Sequence, residues 1–278
     1  MNRIPFGVSQ FDSLVGGGSP PGSVVLLAGD AGAGAREFAY TSAMMNALGH
    51  ANSTLFDLHY GAVDSRATLP RAVHYISFTA SSREIHAEVT HTIDEELVSP
   101  AFEAVRFEDL STEYFQLSPI PHDWYVERRR TIADLGRSHD RRDILEALGE
   151  YLTKHASDNL VVIDSLTDLV SLPDEQVDWH EIPMLLKGMK KASQSWNGLI
   201  LVLLDQESLT STQIGELMGA TDGTISFEWE RGGNERARTM FVREFRGVLS
   251  RIEEEDIIRF EIEIQDDGLD ISNVRKIR

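Results

Sequence analysis

The residues best placed to do chemistry stand together near the N-terminus, as Gly29-Asp30-Ala31-Gly32-Ala33-Gly34-Ala35-Arg36. They follow a continuous apolar segment, Ser23–Ala28, and precede a helical stretch reaching Leu48. A phosphate-binding loop has the form G-x-x-x-x-G-K-[ST]. Its glycines let successive backbone N–H groups converge on phosphate oxygens at a helix N-terminus. Gly29, Gly32 and Gly34 meet this geometric half, but the chemical half is missing. Ala35 stands where a lysine reaches the β- and γ-phosphates, and Arg36 where a Ser or Thr hydroxyl holds Mg²⁺. Arginine is cationic, but it sits one position on, about 100° around a helix, and offers a flat fork instead of a compact charge. Such a loop retains anion binding without magnesium and loses efficient phosphoryl transfer; the bland alternative is a β–α turn with no ligand.

A second candidate is Leu160-Val161-Val162-Ile163-Asp164-Ser165. Four apolar residues closing on an acid are a Walker B pattern, in which a buried strand delivers a carboxylate to the C-terminal edge of a sheet. Asp164 is the metal-ligand candidate, and only for magnesium arriving with a nucleotide. Of nine histidines, His86 and His91 are five apart, off the spacing that places two ligands on one helix face. Ser77 and Ser165 lack a G-x-S-x-G surround, so a hydrolase triad has no support. Arg128, Arg129, Arg130, Arg137, Arg141 and Arg142 form one basic cluster that would suit an acidic partner, another subunit or a nucleic acid. The simpler reading is a solvated helix face paired with Glu127, Asp134 and Asp140.

The elements that must carry these residues alternate strand with helix. Ser23–Ala28, Ala72–Phe78, Val105–Leu110, Leu160–Ile163 and Leu199–Leu204 read as strands. Helical spacing appears after Gly34, from Ser82, over Arg142–His155 and over Ile182–Ser193. This order predicts an α/β fold, a mostly parallel sheet with helices on both faces. The last quarter differs: Thr224–Glu230, a turn at Arg231–Glu235, Arg238–Phe245, Arg259–Ile264 and Leu269–Ser272 predict an antiparallel edge. The run Glu253–Asp256 reads as a solvated connection, and about 111–142, with its Ser118-Pro119-Ile120-Pro121, as an insertion or flap.

Composition narrows the classes. At 278 residues with 41% apolar and 26% charged residues, the chain is an ordinary folded protein. Its net charge of −19, with 21 Arg and only 5 Lys, repels phosphate backbones and acidic membranes. An acidic surface poor in lysine suits a halophile's cytoplasm, where salt screens self-repulsion. The absence of cysteine excludes disulfides, thiolate metal sites and a cysteine nucleophile. No run approaches the ~18–20 apolar residues of a membrane helix, and Met1–Gln10 has no signal-peptide core, so a cytoplasmic protein without membrane insertion is expected.

The opening Arg3-Ile4-Pro5-Phe6-Gly7-Val8, Phe11-Asp12, Leu14-Val15-Gly16-Gly17-Gly18 and Pro21-Gly22-Ser23 resembles that of KaiC-like, RecA-superfamily ATPases, in the branch that includes KaiC and GvpD. Their entry reads close to R-I-P-T-G-I-x-x-L-D-x-L-x-G-G-G-x-P-x-G-S. The likeness continues at Val105–Ser111, Val161–Thr167 and from Ala220-Thr221-Asp222-Gly223 to Arg246-Gly247, thinning over about 112–142. More narrowly, the whole is similar to haloarchaeal HTR-like (halobacterial-transducer-like) proteins. The resemblance implies a RecA-like P-loop fold spanning 1–278 and a homo-oligomer, a hexamer in the family.

Carried over residue by residue, the family's functional positions fail repeatedly. The lysine falls on Ala35 and the magnesium hydroxyl on Arg36; the paired glutamates that activate water fall on Thr79 and Ala80. A K-x-R-G finger sent in by a neighbouring subunit falls on Glu244-Phe245-Arg246-Gly247, where Arg246 matches and Glu244 reverses a charge. Asp164 matches the Walker B acid, and Asp205-Gln206 falls where a γ-phosphate sensor would lie. The expectation is a degenerate, non-hydrolysing regulatory module that binds a protein partner. ATP or ADP, with or without Mg²⁺, would bind residually at 29–36, Asp164 and Arg246. One alternative is a slow ATPase with Arg36 for the lysine and Glu84 or another acid as base; another is a DNA-recombination accessory using Arg128–Arg142.

Overall fold

The computed structural model describes residues 2–125, 143–173, 175–230, 237–254 and 257–276. In chain order its elements are α1 (Ser9–Val15), β1 (Ser23–Gly29), α2 (Ala35–Ala51), α3 (Ser53–His59), β2 (Val73–Ser77), α4 (Ser82–Thr90), α5 (Glu95–Ala104) and β3 (Val105–Asp109). There follow α6 (Ser111–Phe115), α7 (Ile144–His155), β4 (Leu160–Asp164), α8 (Leu166–Val170), α9 (Glu181–Trp196), β5 (Leu199–Asp205) and α10 (Ser211–Ala220). The chain closes with β6 (Gly223–Glu230), β7 (Ala237–Phe245), α11 (Leu249–Glu254), β8 (Ile257–Gln265) and β9 (Gly268–Lys276).

The described strands form one sheet in the order β3-β2-β4-β5-β1-β6-β7-β8-β9. Pairing is parallel from β3 through β6 and antiparallel from β6 to β9. The apolar runs explain the centre: β1 and β4 are buried along their whole length, as a parallel strand covered on both faces must be. Alternate side chains serve opposite cores. Val25 and Leu27 pack with α2 on one face, while Val24, Leu26 and Ala28 join Leu148, Leu186 and Leu217 on the other.

Local chemistry sets the boundaries. The Asp143 carboxylate accepts from the N–H groups of Leu145 and Glu146 and starts α7. Ser81 and Glu84 form a reciprocal capping box at α4, as Thr210 and Gln213 do at α10. The N-terminal segment is sewn onto the sheet. Buried Asp12 accepts from Phe6 N, Gly7 N and the Tyr60 hydroxyl, yet burial pushes its carboxyl up to about 7 against those bonds. Gly18 is obligatory, since a Cβ there would stand 2.1 Å from the Ile4 carbonyl oxygen. Phe6 and Phe11 then meet Phe38, Phe245 and Phe260 in one aromatic cluster, with ring centres 5.2–6.0 Å apart.

The expected α/β architecture and antiparallel edge are both present. The strand boundaries expected from sequence move by one residue at most for β1–β7, and β9 runs on to Lys276. One reading is corrected: Glu253 and Glu254 end a short helix, α11, and are not a plain connection. The Arg231–Glu235 turn and the Arg128–Arg142 cluster lie outside the described residues; the described part of 111–142 holds α6 and a 3-10 turn at His122–Trp124. Among the described residues no helix is long and apolar enough to cross a membrane.

Candidate functional site

The sheet register gathers the candidates. In the parallel ladder Gly29 of β1 pairs with Asp205 of β5, and Asp164 of β4 pairs with Ser77 of β2, so all stand at the C-terminal edge. That is where α/β sheets bind ligands. There 29–36 closes over a hollow of about 400 Å³, with Ser165, Thr167, Asp168 and Asp205 on its far wall.

The loop is built as a cradle. Gly34, at φ +117°, caps α2 with no side chain, and a Cβ there would stand 2.8 Å from Ile262 Cδ1. The first N–H groups of α2, from Ala35 on, have no partner inside the helix, as at any helix N-terminus. The loop's other groups are used internally. Asp30 N donates to the Phe227 carbonyl and Ala33 N to the Asp30 carbonyl, both at 3.0 Å. Asp30 Oδ1 accepts from Gln206 Nε2 at 2.7 Å. Trp229 Nε1 donates to the Ala31 carbonyl and Arg238 Nε to the Gly32 carbonyl, each at 3.0 Å, with the Arg238 guanidinium 4.8 Å over the indole ring.

Arg36 lines the hollow, but its charge is already engaged. Its Nη1 donates to Asp164 Oδ2 at 2.6 Å, and the same oxygen accepts from the Tyr75 hydroxyl at 2.6 Å. Glu88 lies 3.9 Å from Nη1 and accepts from the Tyr40 hydroxyl at 2.5 Å. Asp164 is almost fully buried, whereas the Arg36 side chain is 47% exposed. Burial pushes the Asp164 carboxyl up, and the Arg36 charge pulls it back. Burial also works against the guanidinium, but Asp164, Tyr75 and Tyr40 outweigh it and hold Arg36 firmly cationic. Tyr75 is raised well above its ordinary value, chiefly by burial and then by Asp164, so it remains a donor.

Magnesium and a triphosphate do not fit this arrangement. The cation's place beside Asp164 is taken by a guanidinium, and Ala35 brings a buried methyl in place of an ammonium. Asp30, Glu37, Asp168 and Asp205 line the hollow, and Arg36, already paired, is the one basic residue lining it among those described. The neighbouring polar groups are satisfied by each other. Asp168 accepts from Ser165 N and Oγ, Thr167 Oγ1 from Asp205 N, and Asp205 Oδ1 from Glu207 N.

The other sequence candidates are not brought here. Thr79 and Ala80 turn their N–H groups to Ser77 Oγ and stand outside the hollow. Glu84 is held by Ser81 in its capping box, which lowers its carboxyl and weakens it as a base. Glu244 and Arg246 line a separate hollow with Lys190 and Asp222. Sequence reasoning missed Tyr75, Glu88, Trp229 and Arg238. A signal existed for the last two, since antiparallel pairing of β6 with β7 makes Trp229 and Arg238 cross-strand partners.

No family model matches the chain, and no curated protein does. Among solved structures, a KaiC-like protein of the hyperthermophilic archaeon Pyrococcus horikoshii superposes with a TM-score of 0.61 at 16% identity. The match covers 98% of this chain and 99% of that one. By its sheet order and this superposition, the chain shares the fold of that KaiC-like protein.

Proposed function

We propose that this protein is a non-hydrolysing regulatory or signalling module on a KaiC-like fold, with at most residual nucleotide binding at 29–36. The observation that carries this reading is the 2.6 Å bond from Arg36 to Asp164. It commits the loop's one cation to the carboxylate that a nucleotide's metal would need. A polyphosphate entering the hollow meets four acidic side chains and a cradle of amides whose one lining cation, among the described residues, is already paired. Position 79, where a water-activating acid is required, is a threonine. Loss of a general base alone costs about 10²–10⁴-fold.

The slow-ATPase alternative asks Arg36 to reach phosphate, and the same bond weighs against it. The nucleic-acid alternative rests on Arg128–Arg142, outside the described residues, and on a chain of charge −19 that repels such partners. The charge and the scarcity of lysine support a salt-rich cytoplasm as the setting. A protein partner and self-assembly follow from the fold resemblance and belong to the same proposal.

Phosphate release from ATP in molar KCl with Mg²⁺ tests it, with Asp164→Asn as the control. The expected rate is indistinguishable from that of the control. Turnover that disappears with Asp164 rejects the proposal. Calorimetric titration with ATP and ADP, with and without Mg²⁺, measures what binding remains; the expected affinity is weak and unimproved by magnesium.

A further inference from the structure

The Arg36 guanidinium sits between carboxylates from different elements. Nη1 is 2.6 Å from Asp164 Oδ2, at the end of β4, and 3.9 Å from Glu88 Oε2, on α4. Asp168, at the start of α8, adds its field to the same carboxyl. Oxygen donors converging on one point are what a hard divalent cation selects, and the point of convergence here is a nitrogen of the chain itself. Tyr75 and Tyr40 complete the enclosure, each donating its hydroxyl to one of the two bridged acids.

We propose that Arg36 is a resident cation that closes the Asp164–Glu88 gap to divalent metal, and that shortening it opens a Mg²⁺- or Mn²⁺-binding site in this chain. Any ligand of the wild-type cleft is thereby taken without metal. This rests on the reading of the cleft as non-hydrolysing and adds its selectivity. The arrangement is permanent. The covalently attached charge needs no dissolved ion, so the edge of the sheet keeps one geometry whatever the magnesium concentration. The side chain's 47% exposure gives a metal ion a route in once the guanidinium is gone.

The probe is Mn²⁺, titrated in molar KCl so that salt screens weak binding to the acidic surface. Free Mn²⁺ is read by electron paramagnetic resonance and stability by thermal melting. Arg36→Ser is expected to take up a further Mn²⁺ ion about tenfold or more tighter than wild type does, with a Tm that climbs with metal. Adding Asp164→Asn to that variant abolishes both effects. Arg36→Lys, which restores a cation, behaves as wild type. No gain in Arg36→Ser, or a gain that survives Asp164→Asn, overturns the proposal. If Arg36→Ser does not fold, wild type decides alone. Mn²⁺ should leave the Tyr75 and Tyr40 ring resonances sharp, and their broadening overturns the proposal. These readouts are independent of phosphate release, so failure here leaves the non-hydrolysing reading standing, and the two failures are told apart.

Discussion

Position 36 carries a long cation, and its partner is a carboxylate 128 residues away in sequence. Removing one member of a buried pair strands the other, which costs about 3–5 kcal/mol when both are fully enclosed. Arg36 is half open to water, so Arg36→Ala is expected to cost roughly 1–3 kcal/mol in urea unfolding. Most of that loss should return in Arg36→Ala with Asp164→Asn, because no buried charge is then left unpaired. Simple additivity of the two single variants counts against the pairing. Two other buried groups set the pH response, with opposite signs. His74 donates to or accepts from the Tyr151 hydroxyl at 2.8 Å, and burial lowers it to about 4. The unfolded chain therefore gains that proton first, so this contribution is present above pH 6.5 and disappears as pH falls toward 4. Asp12, raised to about 7, contributes stability that is present below pH 3.8 and is lost as pH rises through 7. Urea midpoints from pH 4.5 to 7.5 separate the two: His74→Gln should soften the acid loss, and Asp12→Asn the loss toward neutrality.

At the scale of elements, the glycine loop is held by the β6–β7 hairpin as well as by its own turn. Trp229 and Arg238 fasten two successive loop carbonyls, and the guanidinium stacks on the indole. Trp229→Ala should speed amide exchange across 29–36 at least about tenfold while lowering global stability by only ~1–2 kcal/mol, because the side chain is half-buried. Exchange that rises equally throughout the protein contradicts a local clamp. Legibility in the sequence followed the same division. Strands β1, β4 and β5 were readable because a strand covered on both faces must be apolar at every position. The loop and Asp164 were readable because each is a local pattern. Helix α5 was hidden by Pro100 in its interior, and α10 by Gly215 and Gly219, which dilute the helical signal. Helices α3 and α8, of seven and five residues, are too short to show a period. The convergence of Arg36, Tyr75, Glu88 and Asp164 was illegible for another reason. It joins four elements whose meeting is set by sheet order, and no spacing in the chain encodes that order.

Over the whole molecule, the charge of −19 is spread on a surface whose acids outnumber its bases. Folding brings those charges together, so the compact state carries the repulsion and added salt relieves it. Raising KCl from about 0.1 M to 1 M shortens the Debye length from about 10 Å to 3 Å, and Tm is expected to rise by several degrees. Most of the rise should come early in the titration, and an isosmotic neutral solute should not reproduce it. A flat response to KCl argues against a salt-adapted protein. The aromatic cluster of Phe6, Phe11, Phe38, Phe245 and Phe260 has a consequence for biosynthesis. Its rings come from stretches far apart in the chain, so a growing polypeptide on the ribosome cannot complete this core until the residues near 260 have emerged. Until Phe245 and Phe260 emerge, Phe6 and Phe11 have only each other and Phe38 of this cluster to pack on, and a message truncated before that point yields a chain whose aromatic core stays open.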